Sequence, residues 1–275
     1  MKAFLITALF VVVGLICLKL FVIWLEPRMT FFPDRQISRT PLDYGIPFDQ
    51  TVISTEDGEA LITWYLPHPD SKATILFFHG NAGNISSGRI DLLVAIYRQG
   101  YSLFTFDYRG FGKSSGAPTE EGIQLDSAAA VRFYWEKVHR PGEKVVYFGK
   151  SLGGFTSAHA TTVSEPDGLI LEATFPDKAT LLSRYTLLRF LSLFSKYRLE
   201  TISNLTGRTC PVLVIHGDAD EVVPFEVGRE LFERLPGEKY FFEVPGASHV
   251  NQYEVGGQAY WMRIETFINQ IGVSR

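Results

Sequence analysis

The sequence predicts an α/β fold in which a mostly parallel central sheet is flanked by helices. Short, continuously apolar runs recur along the chain, and such runs are typical of strands that are buried on both faces. Helix-length segments separate these runs, and strands that alternate with helices indicate a parallel sheet. A length of 275 residues, 46% of them hydrophobic, is enough for one large domain of this class.

The predicted elements follow one another in a regular order after an irregular lead-in over residues 28–50. The first two strands flank Asp57-Gly58, a dipeptide that favours a tight antiparallel hairpin. The predicted strands are Thr51–Thr55, Ala60–Leu66, Thr74–Phe78, Ser102–Phe106, Val145–Phe148, Leu169–Leu171, Val212–Ile215 and Tyr240–Val244. The helix-length segments lie near residues 87–98, 121–139, 152–164, 226–235 and 257–270. Ligands bind beyond the carboxyl ends of the strands in such sheets, so residues that follow a strand are candidates for a functional site.

The composition excludes several functional classes. The formal net charge is −4, so the chain lacks the basic surface that nucleic-acid binding requires. The two cysteines, Cys17 and Cys210, cannot form a disulfide framework, and no cysteine and histidine have the spacing of zinc ligands. We therefore expect neither a metal site nor a nucleic-acid partner.

The N-terminal segment is apolar almost without interruption from Ala3 to Leu25. As a helix, these 23 residues would extend about 35 Å, enough to cross a hydrocarbon core of about 30 Å. A cleaved signal peptide is the alternative, but the apolar run is long for one and no small-residue cleavage site follows it. We expect residues 1–27 to form a single-pass membrane anchor and residues 28–275 to form the folded domain. Basic residues flank the segment at both ends, so the charges favour neither orientation across the membrane.

Two Gly-x-Ser-x-Gly patterns are present, and their contexts differ. Residues 112–116, around Ser114, lie several residues beyond the nearest predicted strand, and no helix start follows them. Residues 149–153, around Ser151, directly follow a predicted strand and open a segment rich in small residues. This strand–turn–helix context is that of a nucleophile elbow, where glycines leave room for a sharp turn beside the serine. We predict that Ser151 is a nucleophile and that Ser114 has a structural role.

A serine nucleophile needs a base, and the base needs a carboxylate to orient it. His249 follows the last predicted strand, and it is the histidine whose position best suits a general base. Asp218 and Asp220 both follow the preceding strand. Asp218 is suited to capping the turn, whereas Asp220 lies deeper in the loop that must reach the histidine. Asp220 is therefore favoured, and Asp218 is the alternative.

Two backbone amides are candidates for stabilising a negatively charged oxygen near the serine. Leu152 follows Ser151 directly, at the start of the predicted helix. Asn81 lies in the glycine-rich loop after the strand Thr74–Phe78, where the backbone can approach a substrate closely. We predict that the N–H groups of Asn81 and Leu152 form an oxyanion hole, for which the Asn81 side chain is not needed.

Five motifs in chain order carry a resemblance to a known family. They are His79-Gly-Asn-Ala-Gly-Asn84, Phe106-Asp-Tyr-Arg-Gly-Phe-Gly-Lys-Ser114, Gly149-Lys-Ser-Leu-Gly-Gly154, His216-Gly-Asp-Ala-Asp220 and Gly246-Ala-Ser-His249. Together they resemble the α/β-hydrolase superfamily. More narrowly, they resemble its small membrane-anchored serine hydrolases, a serine-aminopeptidase-like group that includes lysophospholipases and protein depalmitoylases. The resemblance covers about residues 28–275.

The resemblance implies a catalytic triad of Ser151, Asp220 and His249, which supports Asp220 over Asp218. It implies a membrane-anchored serine hydrolase that cleaves an ester or a thioester through an acyl-enzyme and without a cofactor. Placement at a lipid bilayer favours lipid-like acyl substrates. An aminopeptidase-type serine peptidase and a non-catalytic, membrane-tethered binding module are the alternatives.

The segment near residues 176–208 is expected to form a small helical cap over the site, because this superfamily carries its cap at that position. Wound as a helix, the segment would be apolar around most of its circumference, with basic residues such as Arg184 interspersed. Two explanations are open. The cap is either packed by protein on both sides or touches the bilayer, with its basic residues at anionic headgroups.

Overall fold

The computed structural model of the protein describes residues 1–183 and 185–272; the predicted cap residue Arg184 lies outside them. The strands are β1 (Phe32–Pro33), β2 (Asp49–Ser54), β3 (Ala60–Leu66), β4 (Thr74–Phe78), β5 (Ala82–Gly83), β6 (Ser102–Phe106), β7 (Val145–Lys150), β8 (Gly168–Glu172), β9 (Val212–Gly217) and β10 (Lys239–Val244). The helices are α1 (Lys2–Thr30), α2 (Ile90–Arg98), α3 (Glu120–Phe133), α4 (Leu152–Thr161), α5 (Lys178–Leu182), α6 (Thr186–Ser192), α7 (Thr201–Asn204), α8 (Phe225–Arg234) and α9 (Gln252–Gln270).

The central sheet has eight strands in the order β10–β9–β8–β7–β4–β6–β3–β2. The strands from β10 to β6 are parallel, whereas β3 pairs antiparallel with both β6 and β2. The predicted hairpin therefore forms one edge of the sheet. The prediction of a mostly parallel central sheet flanked by helices is confirmed.

Both faces of the sheet are buried, and alternate residues of one strand serve the two faces. In β4, Leu76 and Phe78 belong to the core on the side of α3, α4 and α8. Ile75 and Phe77 belong to the core on the side of α2 and α9. This alternation explains why the central strands have continuously apolar sequences, since each of their faces meets a layer of helices.

Two parts of the chain differ from the predicted boundaries. Helix α9 begins at Gln252 rather than near residue 257. The helix is kinked at Gly257, where φ is +49°, so a further helical segment precedes the predicted start. The lead-in over residues 28–50 is also less irregular than predicted. It contains β1 and a short 3-10 helix, Pro41–Tyr44. Strand β1 has only two residues, too few to produce a periodic pattern.

Helix α1 is continuous through Thr30, and among the described residues it is the one helix long and apolar enough to cross a membrane. Most of its side chains are exposed. The chain passes from α1 almost directly into β1, which pairs in parallel with β5. The amide of Phe32 donates to the carbonyl of Asn81 over 2.8 Å, and the amide of Asp34 donates to the carbonyl of Gly83 over 2.9 Å. The end of α1 is thus joined to the loop that follows β4.

Candidate active site

Ser151 lies in the turn between β7 and α4, at the carboxyl edge of the sheet. Its backbone has φ +55° and ψ −120°, a strained conformation for a residue with a side chain. Gly153 permits the turn, because a Cβ at this position would overlap the carbonyl oxygen of Phe78. The amide of Ser151 donates to the carbonyl of Glu172 over 2.8 Å, which ties the turn to β8. The other candidate serine, Ser114, is buried and donates to the carbonyl of Asp107.

The structure brings Ser151, His249 and Asp220 together from the ends of three strands. His249 Nε2 lies 3.0 Å from Ser151 Oγ. Its Nδ1 lies 2.9 Å from Asp220 Oδ2 and 3.1 Å from Asp220 Oδ1. The imidazole therefore links the hydroxyl to the carboxylate. Such a chain can transfer the serine proton to the histidine.

The two candidate aspartates have different surroundings. Asp220 is buried, and its Oδ1 accepts hydrogen bonds from the amides of Val222 and Val223 at 2.9 and 2.8 Å. Burial alone would raise the pKa of Asp220, but the neighbouring imidazoles of His216 and His249 hold it below its usual value. Asp218 is exposed and accepts from the amide of Gly246 over 2.6 Å. Asp220 is thus the carboxylate next to the imidazole, while Asp218 joins two loops.

Leu152 and Asn81 line the same cavity as Ser151. Leu152 is the first residue of α4, where helix N–H groups have no partner within the helix. The loop that contains Asn81 is held by two hydrogen bonds. The Asn81 side chain donates to the carbonyl of Thr30 over 2.8 Å, and the Asn81 backbone carbonyl accepts from the amide of Phe32. The side chain is therefore occupied in bracing the loop, and the backbone N–H remains the group that can serve a ligand.

Lys150, which precedes the serine, belongs to a buried polar cluster. The sequence does not predict this cluster. The Lys150 ammonium pairs with Glu172 and donates to Gln252 Oε1 over 2.8 Å. Tyr260 donates to the other oxygen of Glu172. Gln252 lies three residues after His249, so the cluster connects the serine turn to the segment that carries the histidine.

An apolar cavity of about 330 Å³ adjoins Ser151. Its walls come from the loop after β4, from the cap helices α5 and α6, and from α1. The apolar side chains that line it include Leu18, Phe21, Leu25, Met29, Leu181, Leu182, Leu188 and Leu191. Among the described residues of the cap segment near residues 176–208, which exclude residue 184, there are three short helices, and their apolar residues are divided between this cavity and the outer surface.

Asp107 supports the loop that contains Asn81. Its Oδ1 accepts from the amide of Ile85 over 2.8 Å and lies 3.5 Å from His79 Nε2. Burial raises the pKa of Asp107 to about 7. Burial, together with the nearby Arg89 guanidinium, lowers the pKa of His79 to about 3. Both groups are therefore neutral in mildly acidic solution, despite their proximity.

This environment predicts a pH-dependent stability for Asp107. Its pKa is higher in the folded than in the unfolded state, so between about pH 4 and pH 7 the unfolded chain binds fewer protons at this residue. Its contribution to stability therefore falls as the pH rises through that window. The unfolding free energy of Asp107→Asn minus that of wild type should therefore rise by about 2–4 kcal/mol between pH 4 and pH 7.5.

Urea unfolding in detergent at a series of pH values measures this difference. The comparison with wild type cancels the titration of groups that lie far from Asp107. A difference in unfolding free energy between variant and wild type that does not change with pH would show that folding does not raise the pKa of Asp107.

Comparison with known proteins identifies the family of this chain. A family model described as the α/β-hydrolase fold matches residues 73–209. An uncharacterized membrane protein of Saccharomyces cerevisiae is 34% identical over 245 residues, which cover 85% of this chain and 84% of that protein. The alpha/beta hydrolase domain-containing protein WAV2 of Arabidopsis thaliana is 30% identical over 243 residues, which cover 81% of this chain and 79% of that protein.

Solved structures have the same fold. An esterase of Pyrococcus furiosus, Pf2001, superposes with a TM-score of 0.72 at 21% identity, covering 88% of this chain and 97% of the esterase. A serine hydrolase without a lid from Xanthomonas campestris has a TM-score of 0.61 at 20% identity and covers 83% of this chain and 97% of its own. The resemblance of the five sequence motifs is confirmed: the chain belongs to the α/β-hydrolase family.

Proposed function

We propose that this protein is a membrane-anchored serine hydrolase that cleaves carboxylic ester or thioester bonds. The observation that carries the proposal is the continuous hydrogen-bond chain from Asp220 through His249 to Ser151, which ends on a serine in a strained turn. Such a turn places the hydroxyl at the edge of the sheet, where it borders the cavity that a substrate could enter.

In the proposed reaction, Ser151 Oγ attacks the acyl carbon while His249 Nε2 accepts the hydroxyl proton. The carbonyl oxygen becomes negative, and the amides of Leu152 and Asn81 donate hydrogen bonds to it. Collapse of this intermediate breaks the bond to the alcohol or thiol, which leaves with the proton from His249. A water molecule then attacks the acyl-serine, with His249 again as base, and the free acid is released.

Asp220 acts through His249 rather than on the substrate. Its hydrogen bond to Nδ1 keeps the proton on that nitrogen, so that Nε2 is free to accept the serine proton. Two backbone amides and a second histidine, His216, keep the carboxylate ionised and in position. No step requires a metal ion or an organic cofactor.

Lipid-like acyl groups are the substrates that the cavity favours. The cavity beside Ser151 is bordered largely by leucine, phenylalanine and methionine side chains. An aminopeptidase would need a carboxylate there to bind the substrate amine. Among the described residues that line the cavity, Glu26 is the one carboxylate, and it is already paired with Lys178. Its charge is thus compensated before any substrate binds, which disfavours the peptidase.

A bilayer is the partner that the apolar surface favours. The side chains of α1 are exposed over a length that suits a membrane span. The cap exposes further large apolar side chains, among them Leu187 and Leu193, which are 68% and 76% exposed. Apolar patches of this kind mark contact with a membrane or another protein. We therefore extend the proposal to a cap that touches the bilayer.

The nucleophile is tested by substituting Ser151→Ala in the full-length, detergent-solubilised protein. Wild type should react covalently with a fluorophosphonate probe and hydrolyse p-nitrophenyl butyrate. The variant should do neither, because the probe and the ester need the same oxygen. Ser114→Ala is the matched control and should retain labelling if the variant folds. A folded wild type that neither labels nor hydrolyses an ester would support the binding module instead.

The orienting carboxylate is tested by comparing Asp220→Asn with Asp218→Asn. Asp220→Asn should lower kcat by about 10⁴-fold, because the amide no longer stabilises the required tautomer and the imidazolium. Asp218→Asn changes an exposed side chain that only joins two loops, and it should alter kcat by no more than about two-fold. Equal effects of the two substitutions would remove Asp220 from the proposed triad.

Contact between the cap and the bilayer is tested with nitroxide labels on the reconstituted protein, in a background with Cys17→Ser. A label at Leu193→Cys should be more accessible to oxygen and less accessible to a water-soluble nickel complex than a label at Val52→Cys. Val52 is the matched control, since it is 59% exposed on the edge strand β2. The same accessibility at both positions would mean that the cap faces water.

A further inference from the structure

One face of α1 forms part of the cavity beside Ser151. The residues of α1 that line it are Leu18, Phe21, Val22, Leu25, Glu26, Met29 and Thr30. Their spacing of three and four residues places them on one side of a helix. Leucines from α5 and α6 also line this cavity. A helix that served only as a tether would not need to contribute a wall to the site.

This wall is long and runs away from the serine into the apolar part of α1. Leu18 and Met29 are eleven residues apart, which is about 16 Å along a helix. At the near end, the carbonyl of Thr30 accepts a hydrogen bond from the Asn81 side chain. The backbone N–H of Asn81 is a proposed oxyanion donor. At the far end, Leu18 lies within the candidate membrane span, Phe4–Thr30. A chain bound along this wall would therefore reach from the serine to the depth of lipid acyl chains.

The contact between α1 and the cap is specific, because it includes a buried charge. Glu26 is only 5% exposed. Its carboxylate pairs with Lys178, accepts from Ser195, and accepts from the amides of Lys196 and Tyr197 at 2.9 and 3.1 Å. A buried carboxylate is unfavourable unless it is paired and hydrogen-bonded in this way. All four partners belong to the cap segment, so Glu26 holds α1 against the cap.

We propose that α1 is a wall of the acyl-binding site and that the substrate is a long-chain acyl ester of a membrane lipid. This inference rests on the proposed function. The ester carbonyl lies at Ser151, and the acyl chain extends between α1 and the cap along Leu25 and Phe21. The lipid enters from the side, out of the leaflet that surrounds α1, so its acyl chain never has to cross water. The helix that anchors the protein thus also selects its substrate.

The test compares Leu25→Trp with Val12→Trp in the full-length protein. Leu25→Trp fills the proposed acyl site, whereas Val12→Trp places the same side chain on an exposed part of the same helix outside the cavity. Both proteins are assayed in detergent micelles with p-nitrophenyl palmitate and p-nitrophenyl butyrate. Rates are normalised to the fraction of protein that reacts with a fluorophosphonate. The palmitate-to-butyrate ratio of kcat/KM should fall about ten-fold or more in Leu25→Trp and stay within about two-fold of wild type in Val12→Trp.

The outcomes separate this inference from the function on which it rests. A wild type that neither labels nor hydrolyses either ester contradicts both. A wild type that labels and hydrolyses butyrate, with the same chain-length ratio in Leu25→Trp and Val12→Trp, contradicts only the inference. Preference of the wild type for butyrate over palmitate would also overturn it. Should Leu25→Trp not label, Leu25→Ala replaces it, with Val12→Ala as control; loss of contacts should again lower the ratio, and an unchanged ratio again overturns the inference.

Discussion

The close approach of α4 to the central sheet is the constraint on which the candidate site depends. A side chain at Gly153 would overlap the carbonyl oxygen of Phe78, and one at Gly149 would overlap Ser157 and the carbonyl of Gly153. Because both positions lack a side chain, the chain can reverse sharply and hold Ser151 at φ +55°. The same reversal places the amide-rich end of α4 next to the serine hydroxyl. The positions of the hydroxyl and of one proposed oxyanion donor therefore have a common cause.

Asp107 and Asp220 show how one type of residue can have two roles at the same edge of the sheet. Asp220 accepts from two amides and contacts two histidines, and these donors outweigh burial and keep it ionised. Asp107 accepts from a single amide, that of Ile85, so burial dominates and raises its pKa to about 7. The charged carboxylate orients an imidazole, while the largely neutral one supports a loop. The number of donors, and not the residue type, determines which role each aspartate can take.

The sequence was sufficient for the eight strands of the central sheet and for the grouping of Ser151, Asp220 and His249, because both follow from local patterns. Apolar runs mark buried strands, and the topology of a parallel sheet brings the residues after those strands to one edge. Contacts between distant residues could not be predicted in this way. Glu26 with Lys178, and Lys150 with Gln252, are paired only by the fold. Strand β1 also escaped prediction, since two residues are too few to produce a periodic pattern.

The short passage from α1 into β1 has a consequence for how such a protein would search for its substrate. Only Phe31 lies between the two elements, and β1 is hydrogen-bonded to the loop beside the serine. A flexible linker would let a catalytic domain swing through a wide volume around its anchor. In a membrane-anchored hydrolase built in this way, the opening of the cavity would keep a constant height relative to the candidate span. Encounters would then depend on two-dimensional diffusion within the leaflet, and concentration per unit of membrane area, rather than per volume of solution, would set the rate.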